Sequence, residues 1–230
     1  MQRKTPDEAK QANIAMMGKP LGEQYSLLWQ EVMALHASWH EYVELFGTNL
    51  ERVEVLNRAA PSFFGTLQNE LWDGILLGIA RLTDSSSSGR KSNLSVQNLP
   101  ALIDDPKIKA AVESLVAKAR ERSSFCRDWR NRRIAHRDLT LALDRIASPL
   151  EGASRIKVSE ALAALAEILN AVQVRYEGGI THYDPVPGSE GALTLLHILD
   201  EGLEARERRL ERFQKGSASE DDYRRLRRSF

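Results

Sequence analysis

The sequence predicts an all-α protein, an antiparallel bundle of about five to six helices. Apolar residues recur at steps of three and four through successive long stretches, the periodicity of one buried helical face. Segments rich in Gly, Pro and Ser separate those stretches. Nowhere does the chain alternate apolar and polar residues as a half-buried strand would, and no hairpin turn or internal repeat stands out.

Residues 1–21 are polar, carry Pro6, Gly18 and Pro20, and read as a loosely ordered N-terminal arm. The bundle is expected over residues 22–215. Its first helix, 22–46, puts Leu27, Leu28, Val32, Leu35, Trp39, Val43 and Phe46 at helical spacing and ends at Gly47. Thr48 or Asn49 caps a short second helix reaching Ala60, with Glu51 in its first turn favouring the N-terminal dipole. Pro61 and Ser62 open a third, 63–83, apolar over more than half its surface and therefore expected near the bundle centre.

Residues 84–92 (DSSSSGRKS) read as a polar loop and 93–103 as a short connection. Asp105 and Pro106 then start a long helix expected to run unbroken to about Leu139. After a connection over 144–156, Ser159 caps a helix over 160–176, and GGITHYDPVPGSEG makes a loop over 178–191. A last helix, 191–215, is apolar in its first half and alternates Glu and Arg (EARERRLERFQK) in its second. Residues 216–230 form a charged C-terminal tail, read as a disordered end.

The long helix carries the unusual chemistry. One face runs Ile108, Val112, Leu115, Ala119, Arg122, Cys126, Trp129, Arg133 and His136. Its lower half is a core seam, whereas its upper half exchanges apolar residues for Arg122, Arg133 and His136. Burying such charges unpaired costs several kcal/mol, so the helix is expected to leave the core for a polar cleft or interface at about Arg130 to His136. At its end Asp84, following the third helix, is a candidate partner for one of these arginines, beside the plainer possibility of a helix-end pair with Arg81.

Composition narrows the function classes. Lys plus Arg and Asp plus Glu are both 32, so the chain as a whole has no basic footprint. Basicity is local: Arg120, Arg122, Arg127, Arg130, Arg132, Arg133 and Arg137 stand against Glu121 and Asp128. One cysteine excludes an internal disulfide and a cysteine-based zinc site, and a reducing compartment is the simplest expectation. No apolar run approaches a membrane span, which together with the polar start of the chain points to the cytoplasm.

Other groupings carry less. His36, His40 and Glu44 at i, i+4 and i+8 have ligand spacing, but no fourth ligand or general-base pattern accompanies them, and a hydrogen-bonded or solvated face is preferred. His182, Tyr183 and Asp184 lie in a loop that Pro185 and Pro187 explain as a rigid turn.

Arg130, the polar Asn131 directly after it, and His136 five intervening residues on resemble the R-x(4–6)-H signature of the HEPN superfamily. A second spacing match, Arg175 to His182, lacks the polar neighbour and is broken by Gly178 and Gly179. The wording WRNRRIAHRDL, with LWDGILLGIARLTD, a Ser-rich loop and NLSV upstream, is most similar to the abortive-infection, AbiU-type branch over roughly residues 22–215. The resemblance implies a small helical bundle in which two motifs pair across a dimer to form a metal-independent endoribonuclease. It would act in phage defence or as a toxin.

On that resemblance Arg130 and His136 are the catalytic residues. Asn131, Arg133, Asp138 and Asp84 support them, Arg122, Arg127, Arg132 and Arg137 contact RNA phosphates, and no metal or cofactor is required. Partners would be single-stranded RNA, a second copy of the chain and an antitoxin or defence-system protein, with no membrane. Members that carry a tyrosine two residues after the histidine are regulated by its modification; here that position is Asp138.

The residue types suit the chemistry. A histidine exchanges protons near neutral pH, and an arginine fork matches phosphate oxygens as a lysine does not. Six helical steps separate Arg130 from His136 by about 9 Å along the axis and about 120° around it. One motif is then an incomplete site, which a two-fold partner completes. The alternatives are a non-catalytic module of the same fold that dimerises or serves a partner, and a nucleotide-binding sensor using the same basic pocket.

Overall fold

The computed structural model describes residues 5–136, 138–143, 149–183 and 191–226. It is all-α: α1 (Pro6–Met17), α2 (Lys19–Tyr42), α3 (Leu50–Ala59), α4 (Pro61–Thr83), α5 (Pro106–Arg122), α6 (Ser124–Trp129), α7 (Leu139–Leu143), α8 (Arg155–Glu177), α9 (Ala192–Gln214) and α10 (Glu220–Leu226). Wide turns at Val43–Gly47 and Arg130–Ile134 and a tight 3₁₀ segment at Val96–Leu102 complete the helical structure. Among the described residues the only strands are β1 (Ser87–Ser88) and β2 (Lys91–Ser92), an antiparallel pair inside the Ser-rich loop.

The helices outnumber those expected, for three reasons. Residues read as an arm form α1, because Thr5 and Glu8 make a reciprocal capping box and Pro6 occupies the first turn, where its missing N–H does no harm. Residues read as a disordered tail form α10, anchored by Asp222. Finally, the long helix is interrupted at Ser123 and again after Trp129.

The chain divides into two compact units, Met1–His40 with Glu70–Val186, and Glu41–Asn69 with Pro187–Phe230. In the first, α8 presents Val158, Ala161, Leu162, Leu165, Ile168, Leu169 and Val172, an i, i+3, i+4 stripe that is almost wholly buried. It packs chiefly against α5, and Leu28, Val32, Ile75, Leu76, Ile79 and Phe125 belong to the same unit's buried core. Gly78 lets α4 approach α2 closely, since a Cβ there would fall 2.5 Å from a Leu35 methyl. Gly18, at φ 79°, turns α1 back along α2, and a Cβ at Gly22 would fall 2.6 Å from the backbone of Ile14.

In the second unit Leu45, Leu56, Phe64, Ala192 and Leu196 make a small cluster. Glu41 accepts the Ala192 N–H at 2.6 Å and so caps α9. At the other end of α9, Arg212 grips Asp222 with two bonds of 2.5 and 3.0 Å, and Ser219 is a second partner through its N–H and hydroxyl. Those bonds, Arg212's first, hold the Asp222 carboxyl well below the usual carboxylate range.

The break at Ser123 has a visible cause. Its hydroxyl lies 2.8 Å from the Ala119 carbonyl and 2.9 Å from Thr83 Oγ1, and its backbone takes φ −99° and ψ 12°. A serine that bonds back to its own helix and sideways to another element competes with helix continuation. Beyond Trp129 the turn widens, with the Ala135 N–H reaching back five residues to the Arg130 carbonyl at 2.8 Å. The helical arithmetic that set Arg130 and His136 about 120° apart therefore does not hold past Trp129.

Candidate active site

The polar end of the first unit is built on the last turn of α4. Thr83 Oγ1 and Ser123 Oγ, both buried, meet each other and receive Arg127 Nη1 at 3.3 and 3.0 Å, while Arg127 Nη2 donates to the Arg120 carbonyl. Burial and the charge of Arg120 both work against the protonated form of Arg127, and the two hydroxyls and the carbonyl offset that. Ser95 and Gln97 add bonds to the carbonyls of Leu82 and Thr83. Arg127, expected to meet RNA phosphate, is instead turned inward as a cap on α5.

This knot fixes the backbone of Asp84, and Asp84 in turn holds the first motif residue. Arg130 Nη1 pairs with Asp84 Oδ2, and Arg130 Nε donates to Asn131 Oδ1 at 3.0 Å. The guanidinium is thus restrained on two sides, and its side chain remains about 23% exposed. Asp84 is thus bonded neither to Arg81 nor to a seam arginine, Arg122 or Arg133, but to Arg130, which lies off that face.

Neighbouring arginines divide by role. Arg132 lies among carboxylates, 3.5 Å from Asp128 and 3.7 Å from Asp138, and donates to the Pro149 carbonyl at 3.2 Å. Asp128 also accepts the Glu151 N–H, so this group ties the motif turn to the segment beginning at Pro149. Asp138 accepts the Leu141 N–H at the start of α7 and pairs with Arg132, a structural arrangement in place of contact with His136.

Arg133 lies over the Trp129 ring, 5.0 Å from its centroid, with Nε 4.0 Å from Asp73. Trp129 stacks edge-on to Trp72, and Trp72 on Trp39, an aromatic ladder from core to motif. Its indole N–H donates to the Glu151 carbonyl at 2.9 Å.

His136 follows the wide turn in an exposed bend. Arg122 lines a separate hollow with Lys118, Glu121, Glu151 and Glu160, a mixed-charge surface. Arg137 lies outside the described residues, as does Asp184. Cys126 is buried and its thiol is pushed up to about 12 by that burial, so it packs as a small apolar residue. Among the described residues no group of His, Cys, Asp and Glu is placed to hold a metal ion. His36 Nε2 faces the Leu162 carbonyl at 3.4 Å, and Glu44 pairs with Arg52. Arg175, of the second spacing match, pairs with Asp105 at 3.5 Å. No helix among the described residues is long and apolar enough to cross a membrane.

Beside the motif turn lies an open cleft of about 640 Å³ lined by Asp73, Arg132, Arg133, Asp138, Leu141, Ala142, Pro149 and Leu150. Asp73 and the Pro149–Leu150 wall were missed by sequence reasoning. The signal for Asp73 was present: a carboxylate between Trp72 and Ile75, inside the most apolar helix of the chain. No signal announced the wall, which the Arg132 bond to Pro149 brings into place.

A family model described as AbiU2, of the HEPN type, matches residues 18–195, well over half of the chain. No curated protein and no solved structure matches it. With an all-α fold, the motif intact and this match along its length, the chain belongs to the HEPN AbiU2 family.

Proposed function

We propose that this chain is a metal-independent endoribonuclease of the HEPN type, acting in abortive infection or as a toxin, with its active site shared between two copies. The observation that carries the proposal is the restrained arginine. Arg130 is oriented by Asp84 and Asn131 while staying partly exposed, and His136 stands in an exposed bend six residues on. Cleavage by 2′-hydroxyl attack needs a base for that hydroxyl, an acid for the leaving 5′-oxygen, and positive charge on the phosphorane. Arg130 is suited to the third task and His136 to either of the first two.

A single motif offers one imidazole for two proton transfers, and a second copy would supply the other. Exposed apolar residues adjoin the motif for such a partner to cover: Leu139 is 69% exposed and Leu143 76%. Arg133, standing over Trp129, is suited to flanking phosphates.

The test is incubation of the purified chain with single-stranded RNA in EDTA, with product ends analysed. The proposal expects 2′,3′-cyclic phosphate ends. General acid–base groups contribute ~10²–10⁴-fold, so His136→Ala should slow cleavage by about that factor. Arg130→Ala should do likewise, and His182→Ala should change little. Cleavage that survives both motif substitutions overturns the assignment of Arg130 and His136, a chain that stays monomeric in light scattering at micromolar concentration overturns the shared site, and no cleavage at all leaves a non-catalytic module.

A further inference from the structure

The cleft beside the motif carries a feature that phosphate binding does not use. Of the two carboxylates among its described lining residues, Asp138 is occupied, capping α7 and pairing with Arg132. Asp73 is different: its side chain is 29% exposed, its Oδ1 is buried with no hydrogen-bond partner and with the nearest cation, Arg133 Nε, at 4.0 Å, beyond hydrogen-bond reach, and a turn about its soft terminal torsion is needed to bring that oxygen to the cleft. A carboxylate only accepts, and one short of donors in a partly buried place is destabilised until donors arrive. At about 640 Å³ the cleft is within the range of ligand sites, and Leu141, Ala142, Pro149 and Leu150 give it apolar wall on which a planar ring could lie. Arg130 and His136 are not among its lining residues, so it would hold a neighbour of the scissile phosphate rather than the phosphate itself.

We infer that the cleft takes a guanine base of single-stranded RNA and that Asp73 is the residue that specifies it. The inference rests on the ribonuclease reading for the RNA, and on the cleft for the base. Guanine alone among the four bases presents two adjacent donors, N1–H and the 2-amino group, on its Watson–Crick edge, the spacing of one carboxylate's two oxygens. Adenine and cytosine set a ring acceptor beside their amino donor, and uracil flanks its N3–H with two carbonyls, so each would turn a lone pair toward Asp73. Single-stranded RNA exposes these edges to such readout. Arg133, whose Nε stands 4.0 Å from Asp73 and whose guanidinium lies over Trp129, is placed to follow the adjoining phosphate.

The experiment measures binding apart from cleavage. The His136→Ala chain is titrated by fluorescence anisotropy against short oligouridylates carrying one central G, A, C or inosine. A well-placed bidentate pair is worth roughly 1–3 kcal/mol of discrimination. The guanine oligomer should therefore bind about tenfold tighter than the adenine or cytosine ones, with inosine, which lacks the 2-amino donor, between them. The preference should vanish when Asp73→Asn is added, while wild-type chain should cut next to guanine. Equal binding of guanine and adenine, or guanine preference that persists after the Asp73→Asn substitution, overturns the inference. Should Asp73→Asn misfold, the inosine arm decides from the RNA side, since inosine binding as tightly as guanine excludes a two-donor contact. Cleavage without base preference removes the guanine reading and leaves the nuclease; guanine-selective binding by a chain that cuts no RNA does the reverse.

Discussion

α8 and the segment from α5 through the motif are neighbours of similar length, yet one is a single rod and the other breaks twice. α8 runs 23 residues with Ser154 capping its start and Gly178, in the left-handed region, closing its end. Its buried stripe is apolar throughout, so nothing competes with its own backbone hydrogen bonds. The motif segment begins as well, with Asp105 accepting the N–H groups of Lys107 and Ile108, bonds that lower the Asp105 pKa. Its inward face then turns polar at Ser123, Arg127 and Arg130. Those groups find partners at the end of α4, Arg132 beside them bonds the Pro149 carbonyl, and the helix distorts to let them reach. An apolar stripe keeps a helix regular, whereas a polar one trades regularity for bonds to other elements.

The contrast predicts where each region is sensitive. The largest loss of stability should come from α8: Leu165 is fully buried, and Leu165→Ala should cost about 2–5 kcal/mol in urea unfolding. A cost under about 1 kcal/mol would mean that the stripe is not the core. At the motif, Ser123→Ala removes one partner of Thr83 and of Arg127, and should cost about 1–3 kcal/mol, since each is left short in a partly buried place. On the proposed function it should also slow RNA cleavage, by loosening Asp84. Stability lost with cleavage unchanged would separate the knot from the arginine. The smallest effect belongs to the ion pair between Lys118 and Glu167 on the outer surface of α5 and α8. Glu167→Gln should shift stability by less than about 1 kcal/mol, and less again in high salt.

Much of this was legible from residue order. The α8 core positions appear in the sequence as Ala161, Leu162, Leu165, Ile168, Leu169 and Val172, and all are buried. The first helix was expected to place Leu27 inward, yet Leu27 is 43% exposed while its neighbour Leu28 is wholly buried, since α2 and α4 meet on the Leu28, Val32, Leu35 side. Thr5 and Glu8 spelled a capping box that the surrounding polarity concealed. The motif itself was visible as Arg130, Asn131 and His136; its distortion was not, because a wide turn has no spacing signature of its own.

What the sequence determined by itself is local: helix type, caps, buried stripes, and an arginine–histidine spacing with family character. These follow from side chains within a few residues of one another along one helix. What only the tertiary structure decided is which arginines face where. Arg127 turns inward to two buried hydroxyls, Arg132 joins two carboxylates, Arg133 stands over an indole, and Arg130 is held by Asp84. The physical reason is that a guanidinium goes to whichever acceptors lie within reach of its long stem. Those acceptors come from α4, from the segment at Pro149 and from Asp138, positions that spacing along the motif's own helix does not encode.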